Sequence, residues 1–163
     1  WIACIVVTIL LTEFILNFVI INANIPSGSM ENTIMTNDKL IALRTSYWFN
    51  DPKRGDIIIF KYPDDETEWF IKRVIALPGE TVLVKDGKVY INGSKKALSE
   101  PYIKEEPVED FGPYKVPKNG YFVMGDNRNN SNDAREWETH YVSRDEVLGK
   151  AWFRYYPSIK VIK

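Results

Sequence analysis

The sequence contains little of what metal and thiol sites are built from: one cysteine, Cys4, and one histidine, His140. A single cysteine cannot form an internal disulfide, and these two side chains leave too few ligands for a thiolate or zinc cluster. The formal net charge is only −1, so no strongly basic surface suggests binding to nucleic acid. We therefore expect no metal, no cofactor and no nucleic-acid partner.

One long apolar run opens the chain. Trp1–Ile21 is broken only by polar residues such as Glu13 and Asn17, and a helix of this length spans about 31 Å, the thickness of a bilayer core. A cleaved secretory signal peptide is the alternative, but its apolar stretch is shorter and ends at small residues, which Asn22–Asn24 matches poorly. We predict a retained transmembrane anchor over residues 1–22.

The remainder of the chain consists of short apolar runs separated by turn residues, which predicts strands and a mainly β fold. Asp86-Gly87 is a strong signal for a two-residue hairpin turn. Only Ser143–Val147 has the pattern of a helical turn. The predicted strands are Lys39–Arg44, Asp56–Lys61, Trp69–Leu77, Thr81–Lys85, Lys88–Asn92, Tyr121–Met124 and Lys150–Tyr156.

A polar excursion rich in Lys, Glu and Pro covers residues 94–119. Together with the hairpin before it, this segment could form a small second lobe. We therefore predict a β core made of residues 23–80 and 120–163, and a cap lobe made of residues 81–119.

Ser29 is the first candidate for chemistry, because it follows the apolar run closely. A serine hydroxyl needs a base. The only histidine, His140, has no sign of an oriented partner, and a lone histidine is more often structural. A lysine can act as the base if burial lowers its pKa and keeps its amine neutral. Lys72 lies within the apolar strand Trp69–Leu77, although an edge strand with Lys72 and Arg73 in solvent fits the pattern equally well.

The loop Gly125–Arg135 is dense in side chains that form hydrogen bonds. Its composition alone is typical of an Asx-rich surface turn. Asp133 and Arg135, however, have the spacing to brace such a loop by an ion pair.

Four segments resemble, in the same order, the boxes of bacterial type I signal peptidases. They are Pro26–Met30, Arg54–Asp56, Lys72–Glu80 and Gly125–Arg135. The leading apolar segment matches too, so the resemblance covers nearly the whole chain, and the short polar excursion is similar to the compact Gram-positive form. The resemblance implies an antiparallel β catalytic domain with a small hairpin cap, and a serine endopeptidase that removes signal peptides after small-x-small sites without a cofactor.

The same resemblance assigns roles to single residues. Ser29 would be the nucleophile, Lys72 the general base, and the Ser27 hydroxyl would complete the oxyanion hole beside the Ser29 backbone N–H. Ser131 would hydrogen-bond the Lys72 amine. The residues expected to hold the catalytic loop are Asp126, Asp133 and Arg135.

Substrate contacts also follow from the resemblance. Ile25, Phe70 and Ile71 would line small pockets for short side chains, and Met30 would dip toward the bilayer. The departures from the family pattern are Asn32, Asn129 and Ala134; none is a proposed nucleophile or base, so we expect activity to survive.

The expected partners are preproteins that carry signal peptides, the lipid bilayer and the secretion translocon. The expected location is the bacterial cell membrane, with one span and the catalytic domain on the extracytoplasmic face. Two alternatives stay open: a catalytically inactive relative that acts as an assembly chaperone, and a self-cleaving Ser-Lys protease of the SOS repressor type. Retained Ser29 and Lys72 disfavour the first, and the membrane segment disfavours the second.

Overall fold

The computed structural model describes residues 1–162, which form one N-terminal helix followed by antiparallel β-sheets. The α-helix α1 covers Ile2–Phe14 and continues as a π-helical segment over Ile15–Val19. The strands are β1 Ile20–Asn24, β2 Lys39–Leu43, β3 Ile57–Tyr62, β4 Asp65–Ala76, β5 Thr81–Lys85, β6 Lys88–Ile91, β7 Phe111–Lys115, β8 Gly120–Met124, β9 Val142–Ser143, β10 Val147–Tyr156 and β11 Lys160–Val161. This confirms the mainly β fold with a leading apolar helix.

The apolar helix ends earlier than the sequence suggested. Ile2–Val19 is long and apolar enough to cross a membrane and has no buried residue. Ile20–Asn24, in contrast, is a strand paired with β2, and Ile21 is buried in the core. Isoleucine fits a helix and a strand alike, so the pairing with β2 decides where the helix stops. The anchor therefore enters the sheet without a linker.

The main sheet has the order β1-β2-β10-β3-β4-β8-β9, with β11 paired to β10. Side chains alternate along each strand, so Ile58 and Phe60 pack into one core cluster while Ile57 and Ile59 pack into the other. β4 pairs with β3 and, from Arg73 onward, with β8. Lys72 and Arg73 are both buried, so the interpretation that places them in solvent on an edge strand is wrong.

A second sheet has the order β6-β5-β7 and lies within the range predicted for the cap lobe. Its hairpin turns at Asp86 and Gly87, whose φ angles of 50° and 74° are those of a type I′ turn. β7 was not predicted, because Gly112 and Pro113 break its apolar pattern.

The helical turn predicted near Ser143 is confirmed, whereas the predicted placement of Met30 is not. The turn forms over Arg144–Glu146, with a capping box between Ser143 and Glu146. Met30 does not dip toward the bilayer, since it is fully buried with Ile25 and Ile34. The turn in the main chain after Ser29 directs Met30 into the core.

Candidate active site

Ser29 and Lys72 are in contact although they are 43 positions apart in the sequence. The Lys72 Nζ lies 2.9 Å from the Ser29 Oγ and donates a hydrogen bond of 3.1 Å to the carbonyl oxygen of Ile71. Both residues are buried, with exposed fractions of 6% for Ser29 and 4% for Lys72. The two groups that the sequence singled out as hydroxyl and base are thus in hydrogen-bond contact.

Burial lowers the pKa of Lys72 from its ordinary 10.5 to about 8, and the charge of Asp133 opposes that shift. The amine also lies 5.2 Å from the centre of the Phe70 ring, an apolar wall on the same strand. A lysine in such a setting holds a substantial neutral fraction near neutral pH. The neutral amine can accept a proton, which an ammonium cannot.

The segment between β1 and β2 carries Ser29. It is closed at its base by two main-chain hydrogen bonds, from Ile25 to Asp38 and from Asn37 to Ile25. The Ser27 Oγ lies 3.4 Å from the Ser29 Oγ. In the part of the chain that the structure describes, the Ser29 backbone N–H donates no hydrogen bond, so it is available beside the Ser27 hydroxyl.

Asn127 holds the main chain of this segment from the loop after β8. Its backbone N–H donates to the Ser29 carbonyl oxygen, and its side-chain amide donates to the Gly28 carbonyl oxygen, each over 3.0 Å. Sequence reasoning did not name Asn127 as a site residue. The only available signal was its place inside the box that begins at Gly125.

Gly125 brings that loop against the Ser29 segment. A methyl group on Gly125 would overlap the Ser131 hydroxyl and the Ser29 carbonyl oxygen. Only glycine allows this close approach. Gly125 is therefore a second site residue that sequence reasoning did not single out.

Asp126 joins the loop to β4. Its carboxylate accepts hydrogen bonds of 2.8 and 2.7 Å from the guanidinium of Arg73, and both side chains are almost fully buried. Thr33, from the segment that carries Ser29, also donates to Asp126. The buried ion pair thus fixes the Ser29 segment, β4 and the loop to one another.

Asp133 and Arg135 form the ion pair that their spacing suggested, with 2.8 Å between Nε and Oδ1. Asp133 also accepts the backbone N–H of Gly125 over 2.9 Å. The expected hydrogen bond from Ser131 to Lys72 is absent, since the Ser131 hydroxyl is buried without a hydrogen-bond partner among residues 1–162. The Lys72 amine instead bonds to Ser29 and Ile71.

The loop is also tied to the segment that precedes β7. Arg128 and Glu100 form a buried ion pair with 2.6 Å between Nη2 and Oε1. The Asn129 side chain accepts the Val108 backbone N–H and donates to the Glu106 carbonyl oxygen. The buried Arg128–Glu100 pair excludes the simple surface turn that composition alone suggested.

Two clefts share a wall on β4 near Ser29. A cleft of about 520 Å³ contains Ser27, Ser29 and Lys72 in its wall, and a second cleft of about 250 Å³ contains Ile25. Phe70 and Ile71 line both clefts. Phe70 and Ile71 therefore border the cleft that contains Ser29, and Ile25 borders the adjoining cleft.

His140 lies elsewhere. Its Nδ1 donates to the Ala134 carbonyl oxygen over 2.8 Å, and its ring packs against Phe111 and Tyr114. Within residues 1–162, no group of three or more His, Cys, Asp or Glu side chains has the arrangement of a metal site.

The chain is similar in sequence to known proteins. A family model described as "Signal peptidase, peptidase S26" matches residues 1–156. The chain is 44% identical to a probable signal peptidase I-2 of Synechocystis sp., over 96% of this chain and 72% of that protein. It is 34% identical to signal peptidase I of Bacillus amyloliquefaciens, over 100% of this chain and 90% of that protein.

A solved structure gives the same result. The crystal structure of a signal peptidase I from Enterococcus faecalis is 36% identical and aligns with a TM-score of 0.53. The alignment covers 62% of this chain and 97% of that one. The chain therefore belongs to the signal peptidase family, peptidase S26.

Proposed function

We propose that this membrane signal peptidase cleaves preproteins with a dyad in which Ser29 is the nucleophile and Lys72 the general base. The observation that carries the proposal is the 2.9 Å contact between the Ser29 Oγ and a buried lysine amine whose pKa is lowered to about 8. A serine becomes nucleophilic when a neighbouring base takes its proton. The substrates are proteins that carry an N-terminal signal peptide.

In the first half of the reaction, the Ser29 Oγ attacks the scissile carbonyl carbon while its proton passes to the neutral Lys72 Nζ. The tetrahedral intermediate collapses as the carbon–nitrogen bond breaks. The Lys72 ammonium returns the proton to the leaving amine, which becomes the new N-terminus of the mature protein. The signal peptide remains as an ester on Ser29.

In the second half, the neutral Lys72 takes a proton from a water molecule that attacks the ester carbonyl. Collapse of this intermediate breaks the ester bond, and the proton on Lys72 passes to the Ser29 oxygen. The signal peptide leaves as a carboxylic acid, which loses its proton to solvent. One amine therefore serves as base and acid in both steps, and a pKa near 8 suits both roles close to neutral pH.

The oxyanion of each intermediate would be bound by the Ser29 backbone N–H and the Ser27 hydroxyl. The amide is free of other acceptors among the described residues, and the hydroxyl lies 3.4 Å from the Ser29 Oγ. Removal of one such donor typically lowers kcat by about 10²–10³.

Substrate selection follows from the two clefts. Their shared wall of Phe70 and Ile71 lies on β4 next to Lys72, and Ile25 lines the smaller cleft. A signal peptide bound as an extended strand would direct alternate side chains into the two clefts, because strand residues alternate in direction. We assign these two clefts to the small side chains of a small-x-small site.

The anchor limits the search for substrate to the membrane surface. Ile2–Val19 runs directly into β1, and the Ser29 segment follows β1. The anchor and the signal peptide thereby share one membrane surface, which raises the effective concentration of the cleavage site. We place the catalytic domain on the extracytoplasmic face of the cell membrane, where exported proteins emerge beside the translocon.

The experiment is cleavage of a preprotein with a small-x-small site by the full chain in detergent. We expect Ser29→Ala and Lys72→Ala each to abolish cleavage and to leave the melting temperature of the domain near that of the unsubstituted chain. His140→Ala is the control, with cleavage within a factor of a few. Loss of cleavage in the His140 variant together with retention in the Lys72 variant would overturn the dyad.

A chaperone without activity would leave the preprotein intact in every one of these samples. A self-cleaving protease would cut its own chain instead of the added preprotein. Mass spectrometry of the products distinguishes both from a signal peptidase, because only the peptidase yields a mature preprotein with a defined new N-terminus.

A further inference from the structure

Arg44 is a cation without an acidic partner where the anchor meets the sheet. Its backbone N–H donates to the carbonyl oxygen of Val19, the last helical residue of the anchor, over 2.9 Å. Among residues 1–162 its guanidinium makes no ion pair and no hydrogen bond, and its Nε is buried without an acceptor. A guanidinium with unused donors at this level is positioned to bind an anion.

Some other cations of the main sheet are paired with acidic side chains. Lys61 pairs with Glu66, and Lys150 pairs with Asp56. Arg44 instead lies 5.8 Å from the centre of the Trp69 ring. A cation over an indole ring is held in place while its hydrogen-bond donors stay free.

The neighbouring aromatic residues indicate a membrane interface at the same level. Trp69 is half-exposed, and Trp48 and Phe49, which follow Arg44 by four and five residues, have exposed fractions of 53% and 91%. Tryptophan is enriched where the bilayer core meets its headgroups. The end of the anchor helix at Val19 independently marks that boundary.

We propose that Arg44, held over Trp69, binds the phosphate of a phospholipid headgroup. A guanidinium and a phosphate can form two parallel charge-assisted hydrogen bonds, a geometry that a lysine ammonium does not provide. The bound lipid would fix the β2 end of the sheet against the bilayer, next to the two clefts that Trp69 lines. The proposal depends on the membrane placement of the proposed function but not on the Ser29–Lys72 chemistry.

The test is native mass spectrometry of the full chain released from detergent, titrated with phosphatidylglycerol. We expect a retained lipid adduct whose apparent affinity falls about tenfold or more in Arg44→Gln, in line with the loss of a bidentate pair. Lys88→Gln is the matched control, since Lys88 is an exposed cation on the hairpin of the second sheet, and it should bind as the unsubstituted chain does. Arg44→Met is a second variant that keeps the apolar stem if the glutamine variant does not fold.

Three ligands separate the sources of the phosphate group. Phosphatidylglycerol should bind, diacylglycerol without a phosphate should not, and inorganic phosphate should compete only weakly because it has no acyl chains. Equal retention of phosphatidylglycerol by Arg44→Gln, Arg44→Met and the unsubstituted chain would overturn the proposal, as would equal retention of diacylglycerol.

The test of the proposed function and the test of the lipid site are independent. Ser29→Ala should lose preprotein cleavage and keep the lipid adduct. Arg44→Gln should lose the adduct and keep cleavage in lipid-free detergent within a factor of about two. If Arg44→Gln lost both lipid binding and preprotein cleavage at an unchanged melting temperature, the two sites would not be separate.

Discussion

Asn127 holds the carbonyl oxygen of Ser29 through its backbone N–H, over 3.0 Å, and the carbonyl oxygen of Gly28 through its side chain. The proposed nucleophile is therefore aligned from two directions: the Lys72 amine contacts its hydroxyl, and the loop after β8 fixes its main chain. A displacement of about 1 Å at such a position can lower a rate about a hundredfold.

Removal of the Asn127 side chain should misalign Ser29 without unfolding the domain. Asn127→Ala keeps the backbone hydrogen bond to Ser29 and loses the one to Gly28, so we expect a loss of stability of about 1 kcal/mol. We expect kcat to fall by about 10-fold or more with little change in KM, since the clefts are unchanged. Asn129→Ala, in the same loop but bonded to Val108 and Glu106, is the control. An equal fall of kcat in both variants would contradict this role for Asn127.

A side chain at Gly125 should separate the loop from the Ser29 segment. Gly125→Ala would overlap the Ser131 hydroxyl and the Ser29 carbonyl oxygen, and the second of these belongs to the backbone and cannot rotate away. We expect kcat to fall by about a hundredfold or more. The double variant Gly125→Ala with Ser131→Gly removes only the first overlap and should recover little. Near-complete recovery in the double variant would show that the Ser29 backbone is not the obstacle.

The Lys72 environment was only half predictable. Its apolar neighbours were visible in the sequence, because Phe70 and Val74 flank it on one face of the strand. Whether the strand is central or at an edge depends on pairing with β3 and β8, and residues far away in sequence decide that pairing. Periodicity within one strand therefore could not choose between a buried and a solvated lysine.

The hydrogen bonds of the loop were beyond sequence reasoning for a similar reason. Asn127 and Gly28 are 99 residues apart, and nothing local to either specifies the contact. The Asp133–Arg135 pair, in contrast, was predictable because the partners are two positions apart and the loop itself brings them together. Local spacing therefore predicted the ion pair within the loop but not the contacts between the loop and the Ser29 segment.

Loss of the Asp126 charge should destabilise the domain strongly. Asp126→Asn leaves the Arg73 guanidinium buried without its carboxylate, and the loss of one partner of a buried pair typically lowers stability by about 3–5 kcal/mol. Urea unfolding of the full chain in detergent measures this. Glu66→Gln, which removes a charge from the exposed pair with Lys61, should change stability by less than about 1 kcal/mol. Similar unfolding midpoints for both variants would contradict the role of Asp126 as the buried link.

The pH dependence of cleavage should follow the neutral fraction of Lys72. With a pKa lowered to about 8 by burial, kcat/KM should rise about tenfold per pH unit below about pH 8 and level off above it. Pre-steady-state measurement of acylation with a preprotein substrate gives this profile directly. A profile that keeps rising to about pH 10 would assign Lys72 its ordinary pKa and contradict its role as base near neutral pH.

The same lowered pKa predicts how stability depends on pH. Between about pH 8 and the ordinary value of 10.5, the folded state binds fewer protons at Lys72 than the unfolded state does, so the free energy of unfolding rises with pH across this window. Lys72→Met removes this titration, and other groups cancel when the two proteins are compared. The difference in unfolding free energy should therefore grow with pH, in favour of the unsubstituted chain, by on the order of 3 kcal/mol between about pH 7 and about pH 10.5. A difference that stays constant across this range would mean that Lys72 titrates alike in both states, and that its amine is not held in the dry contact with Ser29 on which the proposed reaction depends.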